Sequence, residues 1–487
     1  MNYFKLSRIL LYLSVFCVIL VTNSTLFPFI VGKYVFFRAA VDLALIAFLL
    51  GVIFHNHEWE ALKARAKKVF HHPLFIAVSI FTLAALLASL FAYDAAAAFW
   101  SNFERGEGGL QILHFYIFFT LLLLLFRTEL EWRHIFKLSL VASGFVILYG
   151  LAASFQVGSF IGPAGLCGRF EGSLGNPAYL APYLMFMMFY GLWLWFTKKR
   201  NPTRDALFTP PPSRVSSGST AGMNGNLKSS PRGIIPHGKV WGFIVLMLAY
   251  LFFFLLSQTR GSFLGLGLAV ITGLLYLSFA LPKGKGKKIS AILAGASIVF
   301  AGLAFAFRSN NIPLVPFCES SSRLLDVSIS DQTAQTRFWT WGSAIKGFEE
   351  RPLLGWGPEN FSVVFDKYFD PRHYVPGQNS ETWFDRAHSV FFDYLAETGI
   401  VGFLAFLGIY LTFFVEFVKR RKDIVAHHHP YGYVLTAGLL AIPVAYLGQG
   451  IALFDVLPIY LNVFLFLAFA THLFLEIPNS KHQIPSN

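Results

Sequence analysis

Charge is what this 487-residue chain has least of. Asp, Glu, Lys and Arg together make up 13% of it, about half of the roughly 25% expected in a soluble domain. With 55% hydrophobic residues and a mean hydropathy of +0.57, a water-soluble globular class is excluded. The chain reads as an all-α polytopic membrane protein. Cysteine is almost absent: Cys17, Cys167 and Cys318 have no spacing that would hold zinc or form a redox pair motif. No internal repeat is evident, which weighs against a transporter built from inverted halves. The net charge of +13 invites a nucleic-acid reading, but the cations are scattered over short loops between apolar runs. That distribution belongs to membrane topology and excludes a nucleic-acid partner.

What is present is a series of apolar runs, at roughly 7–23, 34–54, 73–92, 109–126, 134–156, 177–197, 240–256, 261–281, 289–307, 398–418, 432–448 and 451–475. Each approaches the roughly 17–25 residues that a span needs, so twelve crossings are expected. The first run resembles a signal peptide but lacks a small-residue cleavage site and is followed by further spans, so it is expected to stay as the first helix. Basic clusters follow only even-numbered runs: Lys63 to Lys68, Lys198 to Arg200, Lys283 to Lys288, and Lys419 to Lys422. The positive-inside rule puts these loops and both termini in the cytoplasm. The long polar segment 308–388 then faces outward, and its eight Lys and Arg are outnumbered by ten Asp and Glu.

The organisation expected is six N-terminal spans over 1–200, then a linker at 201–239 too rich in Pro, Ser and Gly to order itself. Membrane helices 240–307 contain a tight hairpin at Arg260. A helical outward loop occupies 308–388, C-terminal spans 389–476, and a cytoplasmic tail 477–487. Inside the outward loop, Phe338, Trp341, Ile345 and Phe348 recur at helical spacing until Arg351-Pro352 stops the pattern. A second short helix is expected from Glu359 to Phe369, ended by Asp370-Pro371.

Six polar residues map to the outward side: Arg105, Arg169, Asn176, Arg260, Arg337 and His388. Each has a plain structural alternative. Arg260 is then a cation snorkelling to the interface, Arg337 a solvated helix flank, and His388 a structural histidine. Taken together, guanidinium groups and an imidazole facing one cavity suit a phosphate-bearing anion, because Arg makes planar bidentate contacts with phosphate oxygens. No D-x-D or paired carboxylates stand in the outward loops to hold Mg²⁺, so no metal site and no cofactor are expected. A pyrophosphate leaving group would have to be stabilised by the arginines. A solute transporter should carry ionisable groups near the bilayer midplane, and the candidates here are few: Asp42, Glu416 and Asp455. Cys167 and Cys318 share the outward side, where a disulfide is chemically permitted; spacing alone leaves their pairing open.

These residues carry a resemblance. SQTRGS with Arg260, QTRFWTWGSAIKGFEERPLLGWGPENF with Arg337, and RAHSVFFDYLAETGIVGF with His388 and Glu397 are similar to the O-antigen ligase, or Wzy_C-type, family of bacterial inner-membrane proteins. GSLGNPAYLAPYL supports the match, which covers roughly Phe91 to Gly408. The family includes O-antigen polymerases and O-linked oligosaccharyltransferases. The resemblance implies a GT-C-like, metal-independent glycosyltransferase in the bacterial cytoplasmic (inner) membrane. It would move a glycan from an undecaprenyl-pyrophosphate carrier to an acceptor such as lipid A core, another surface lipid or a protein. Arg260 and Arg337 would engage the pyrophosphate, and His388 the acceptor hydroxyl. An imidazole near its unperturbed pKa of about 6.5 suits a general base. The polymerase reading, in which the acceptor is another lipid-linked glycan, remains open, as does a bicarbonate-like transporter. Ser389 stands where Asn is common after the histidine, and Ala178 where a second Asn often follows Asn-Pro, which leaves the acceptor undefined.

Overall fold

The computed structural model describes residues 2–102, 105–197, 237–306, 313–315, 317–325, 332–374 and 382–477. Of the linker expected at 201–239, residues 201–236 lie outside them, as does the tail from 478; residues 237–239 are instead helical, a correction to the linker's end. The described residues are helical, with one isolated bridge, Val315 to Cys318, and no strand. In chain order the helices are α1 (Tyr3–Ser14), α2 (Val31–Phe54), α3 (Asn56–Phe70), α4 (Pro73–Leu90), α5 (Ala95–Trp100), α6 (Gly109–Leu125), α7 (Glu129–Ser154) and α8 (Pro177–Phe196). They continue with α9 (His237–Leu256), α10 (Arg260–Ala280), α11 (Lys285–Ala306), α12 (Gln332–Glu350), α13 (Phe361–Lys367), α14 (Val390–His427), α15 (Gly432–Gly450) and α16 (Leu457–Glu476).

Each of the twelve apolar runs falls on a helix. Nine of these, among the described residues, are long and apolar enough to cross a membrane; α6 and Trp241–Leu256 of α9 are shorter. The first run is α1 continued by a 3₁₀ turn, Val15–Ile19. The chain is therefore an all-α polytopic membrane protein, with nine helices meeting the length and composition of a span where twelve crossings were expected. The basic segment after α2 is itself a helix, α3, seated through Leu62, Ala66 and Val69.

Burial sorts the helices into centre and rim. In α16, 94% of the apolar window is buried, against 17% in α10 and 11% in α11. α16 is the axial helix; α10 and α11 present Leu264, Ile292 and Val299 outward, which suits contact with lipid. Aromatic rings fill the centre, as where Phe136 stacks on Tyr190 at 4.4 Å and Trp193 meets Phe469 edge-on at 4.7 Å. The α10–α15 seam is made by small residues: a Cβ on Gly265 would collide with the Ala445 carbonyl. The local start signals are ordinary ones. Thr128 and Glu131 form a capping box on α7, and Asn176 caps α8 with Pro177 in its first turn.

The connections that the sequence assigns to the outward side converge at one end of this bundle. Tyr93 N–H donates to Trp356 O at 2.9 Å, Phe170 N–H to Leu256 O at 3.0 Å, and Val390 N–H to Leu453 O at 2.9 Å. Cys167 and Cys318 are joined in a disulfide, with their Cα atoms 5.4 Å apart. α14 is broken at Gly399, where φ is 60° and ψ −165°. The turn at Pro352–Gly357 docks into that break. Trp356 and Gly357 N–H donate to Ala396 O and Glu397 O at 3.0 and 2.8 Å, while Ile400 N–H donates to Pro352 O at 2.8 Å. Gly355, at φ 68°, rests directly on the Glu397 backbone, where any Cβ would clash. The excursion is thus sutured to α14 by backbone hydrogen bonds.

One expectation about this excursion is corrected. α12 does form, but its buried face is Thr336, Thr340, Ser343, Ala344 and Gly347, and not the apolar stripe. Phe338 and Ile345 are exposed, and only Trp341 turns inward to stack on Phe392 at 4.8 Å. The reason is close approach: Gly347 packs so tightly on Val364 of α13 that a larger residue would not fit.

Candidate functional site

The centre of the convergent end is Arg386. Its guanidinium is buried and faces three carboxylates brought from three separate parts of the chain. Nη1 donates to both oxygens of Glu397 at 2.9 and 3.1 Å, and Nη2 lies against Glu359 and 3.5 Å from Glu107. The carboxylates are tied in their turn. Glu359 N–H donates to Glu397 Oε1 at 3.2 Å, Ser101 Oγ to Glu359 Oε2 at 3.1 Å, and Leu457 N–H at the start of α16 to Glu107 Oε1 at 2.9 Å. Burial opposes the charge on Arg386, but Glu359, Glu397 and Glu107 outweigh it and raise its pKa well above the ordinary value. One cation does not balance three buried anions, and burial pushes Glu107 up to about 8, partly offset by Arg386.

Two residues on, His388 adopts a left-handed backbone (φ 55°), rare for a residue with a Cβ. The neighbouring peptides hold it there. Ala387 N–H donates to Asp393 at 2.6 Å, Trp341 Nε1–H to Ala387 O at 3.0 Å, and Ser389 Oγ to Gly450 O at 3.3 Å. The imidazole stands edge-on between Phe384 and Phe454, with centroids at 5.2 and 5.0 Å. Its Nδ1 lies 3.2 Å from Arg386 O. A carbonyl can only accept, so Nδ1 carries the proton and Nε2 is the basic nitrogen. Burial lowers the His388 pKa to about 4, and the charges of Arg337 and Arg105 push the same way. This corrects the expectation of an unperturbed value: the ring is neutral throughout the physiological range.

Of the cations predicted from sequence, Arg105 and Arg337 act on this histidine, while Arg260 and Arg169 lie on other connections at the same end. Arg105 forms an ion pair with Asp385 at 2.7 Å, donates to Tyr179 Oη at 2.8 Å, and lies over the Phe454 ring at 5.0 Å. Burial works against its charge, but Tyr179 and Asp385 prevail and raise its pKa. Arg337 is half-buried on α12, near enough for its charge to act on His388. Arg260 opens α10, half-buried, on the turn after α9. The turn 451–456 links it to the histidine: Leu453 packs beside Gly261 and bonds Val390, while Phe454 touches His388. Arg169 (φ 63°) acts on Glu171, whose pKa burial raises to about 7. It adjoins the α9–α10 hairpin through Phe170. Asn176 serves α8 as its cap, accepting from Ala178 N–H at 2.8 Å. Glu397 belongs to the Arg386 cluster. Arg105 also edges a cavity of roughly 320 Å³, counting its mouth, that Lys33, Glu107 and Tyr179 line with Phe29 and Leu457.

Sequence reasoning missed Arg386, Glu107, Glu359, Asp385 and Phe454. The signal available was the clustering of acids beside glycine turns (ERGEGG, GWGPEN) in a chain poor in charge. Asp455, read from sequence as part of the last span, lies instead in the turn before α16, hydrogen-bonded to Tyr446. Burial raises its pKa to about 7.

Residues 243–407 match the family model described as O-Antigen ligase. The match runs from α9 through the Arg260 hairpin, the polar excursion and His388 into α14. It supports glycan transfer of the O-antigen ligase and polymerase type by a multi-pass membrane protein. No curated protein matches the chain.

Proposed function

We propose that this chain, through its O-antigen ligase segment at 243–407, transfers a glycan from an undecaprenyl-pyrophosphate carrier to an acceptor hydroxyl at the outer face of the bacterial cytoplasmic membrane. The observation that carries the proposal is the state of His388. Its Nδ1–H is committed to the Arg386 carbonyl and its ring is neutral, so Nε2 is an acceptor among cations. Nε2 takes the proton of the acceptor hydroxyl as that oxygen attacks the anomeric carbon of the carrier-linked sugar. The bond from that carbon to the pyrophosphate oxygen breaks, and the carrier pyrophosphate leaves with the electron pair. Arg260 and Arg337 neutralise the charge that develops on it, the role for which bidentate guanidinium groups are suited. Arg105, held by Asp385 and Tyr179, adds a fixed positive field.

The disulfide supports the orientation independently of the basic loops. Such bonds persist in oxidising compartments and are rare in the cytosol, which supports the proposed extracytoplasmic placement of the end that carries Cys167–Cys318. Among the described residues no group of three or more His, Cys, Asp or Glu is arranged to hold a metal, and the proposed transfer invokes none. The acceptor, as lipid A core, another surface lipid, a protein or a second lipid-linked glycan, is the part on which ligase and polymerase readings differ. The test is glycan turnover by the purified protein in liposomes, with lipid-linked glycan as donor and each acceptor class supplied separately. Transfer to lipid or protein supports the ligase reading and chain extension the polymerase reading. Donor left intact with every acceptor would overturn both.

A further inference from the structure

We propose that Arg386 is a positioning residue that sets the conformation of His388 for transfer, through a buried clamp made by Glu107, Glu359 and Glu397. The inference rests on the reading of His388 as the base.

The clamp adds a buried side-chain junction to elements that backbone hydrogen bonds already bring together. Glu107 comes from the connection before α6, Glu359 from the excursion, and Glu397 from α14 just before its break. Arg386 is the group that all three share. Its side chain anchors the backbone whose carbonyl accepts from His388 Nδ1–H, so the guanidinium and the imidazole are two ends of one rigid unit. The left-handed φ of His388, and that of Glu359 (66°), are disfavoured conformations that persist only where surroundings over-determine them. A fork of two hydrogen bonds to Glu397 fixes direction as well as charge, which a lysine cannot reproduce. The groups acting on His388 from packed elements are Arg337 on α12, Arg105 before α6, and Asp385 beside it in the chain. None of these substitutes for Arg386 as the anchor.

The experiment compares wild type, Arg386→Lys and Glu397→Gln as full-length protein in liposomes. Donor binding, kcat as a function of pH, and the rate of His388 modification by diethyl pyrocarbonate are measured on each. A misplacement of about 1 Å costs on the order of 10²-fold in rate. Arg386→Lys should therefore lose roughly 10- to 100-fold in kcat with donor affinity unchanged. Its kcat should gain an acid limb between pH 4 and 6.5 as the freed imidazole regains solvent, and His388 should be modified faster. Glu397→Gln keeps the shape of the clamp and should show the same changes in weaker form. If Arg386→Lys fails to fold, Glu397→Gln alone decides. Wild-type kcat in the folded variants overturns the proposal. So does a loss of kcat with an unaltered pH profile and unaltered His388 modification, which would mark a structural role only. Full activity in His388→Ala would instead overturn the reading of the base, whatever Arg386 does.

Discussion

The two ends of the helical bundle use charge differently. At the end opposite His388, cations sit mostly on helix C-termini. Arg65 donates to Leu123 O and Phe126 O at the end of α6, at 2.6 and 3.0 Å, and Arg133 meets Thr197 at the end of α8. Arg420 reaches Ile477 O, after α16, at 3.5 Å. Their carboxylate partners come singly and are often exposed: Glu476 is 47% exposed and Glu129 45%. At the His388 end the same helices begin, and acids or amides serve their N-termini, with Glu107 on α16 and Asn176 on α8. Both arrangements follow the helix dipole. The His388 end buries a network of charges, with Arg386 8% and Glu359 1% exposed, whereas the opposite end buries single ones such as Glu416, 8% exposed beside Lys419 at 61%. Exposed pairs are worth about 0–1 kcal/mol, whereas breaking a buried one costs about 3–5 kcal/mol. One end thus carries mostly single ion pairs and helix-terminal cations, and the other a buried charge network that shapes the candidate site.

The comparison breaks most completely if the ends are assigned to the wrong sides. Arg372, exposed on the excursion, should as Arg372→Cys react with a membrane-impermeant thiol reagent in intact spheroplasts. Ser216→Cys, in the linker, should react only after permeabilisation. The native background is low, since Cys17 is buried and the other two cysteines are paired. The reverse labelling would put the site in the cytoplasm and remove the proposed chemistry. Next in size are the site residues. Arg260→Lys, Arg337→Lys and His388→Ala should each lower transfer by on the order of 10²–10³-fold, and EDTA should leave wild-type transfer unchanged. An EDTA-sensitive activity restored by Mg²⁺ or Mn²⁺ would show that a metal does the work assigned to the arginines.

How much of this was legible in the sequence differs between the two ends. Apolar periodicity depends on local spacing alone, so all twelve runs could be placed on helices. The C-terminal cations of the opposite end were visible as basic loops for the same reason. At the site end, sequence picked out residues of distinctive type, His388, Arg260 and Arg337, but not the clamp. Glu107, Glu359, Arg386 and Glu397 are spread over nearly 300 positions, and only tertiary packing reveals that one guanidinium serves three acids. The face of α12 was misread because its contact surface is made of Thr, Ser, Ala and Gly, whose value is closeness rather than hydrophobicity. The pKa of His388 could not be read either, because burial sets it.

The disulfide sharpens the comparison at intermediate size. Cys167→Ser with Cys318→Ser should destabilise the protein by about 2–4 kcal/mol, measured by thermal unfolding in detergent. The wild type alone should change its mobility on a non-reducing gel when reductant is added. Identical mobility and thiol counts with and without reductant would show that the pair does not form. A pH effect follows from Glu107. Its folded pKa, about 8, lies above the ordinary carboxylate value of about 4.3. The unfolded chain therefore releases this proton first. The stability the group contributes is full below about pH 4 and is lost as pH rises through 8. Unfolding temperature should fall across that window, and Glu107→Gln should flatten the fall. A slope identical in the variant would mean that other groups carry it.

The smallest effect belongs to the opposite end. Lys63 on α3 lies 3.6 Å from Glu60, both largely exposed at 64% and 69%. Such an i,i+3 pair on a helix surface is worth about 0.2–0.5 kcal/mol, and salt screens it further. Lys63→Ala also exchanges one good helix former for another. Arg65, Lys67 and Lys68 remain in the same segment, so enough positive charge is left to hold the orientation. Unfolding temperature, transfer rate and the labelling pattern should therefore match wild type. A marked loss of transfer in Lys63→Ala, with the labelling pattern kept, would mean that this end takes part in the chemistry and that the division of labour between the two ends is wrong.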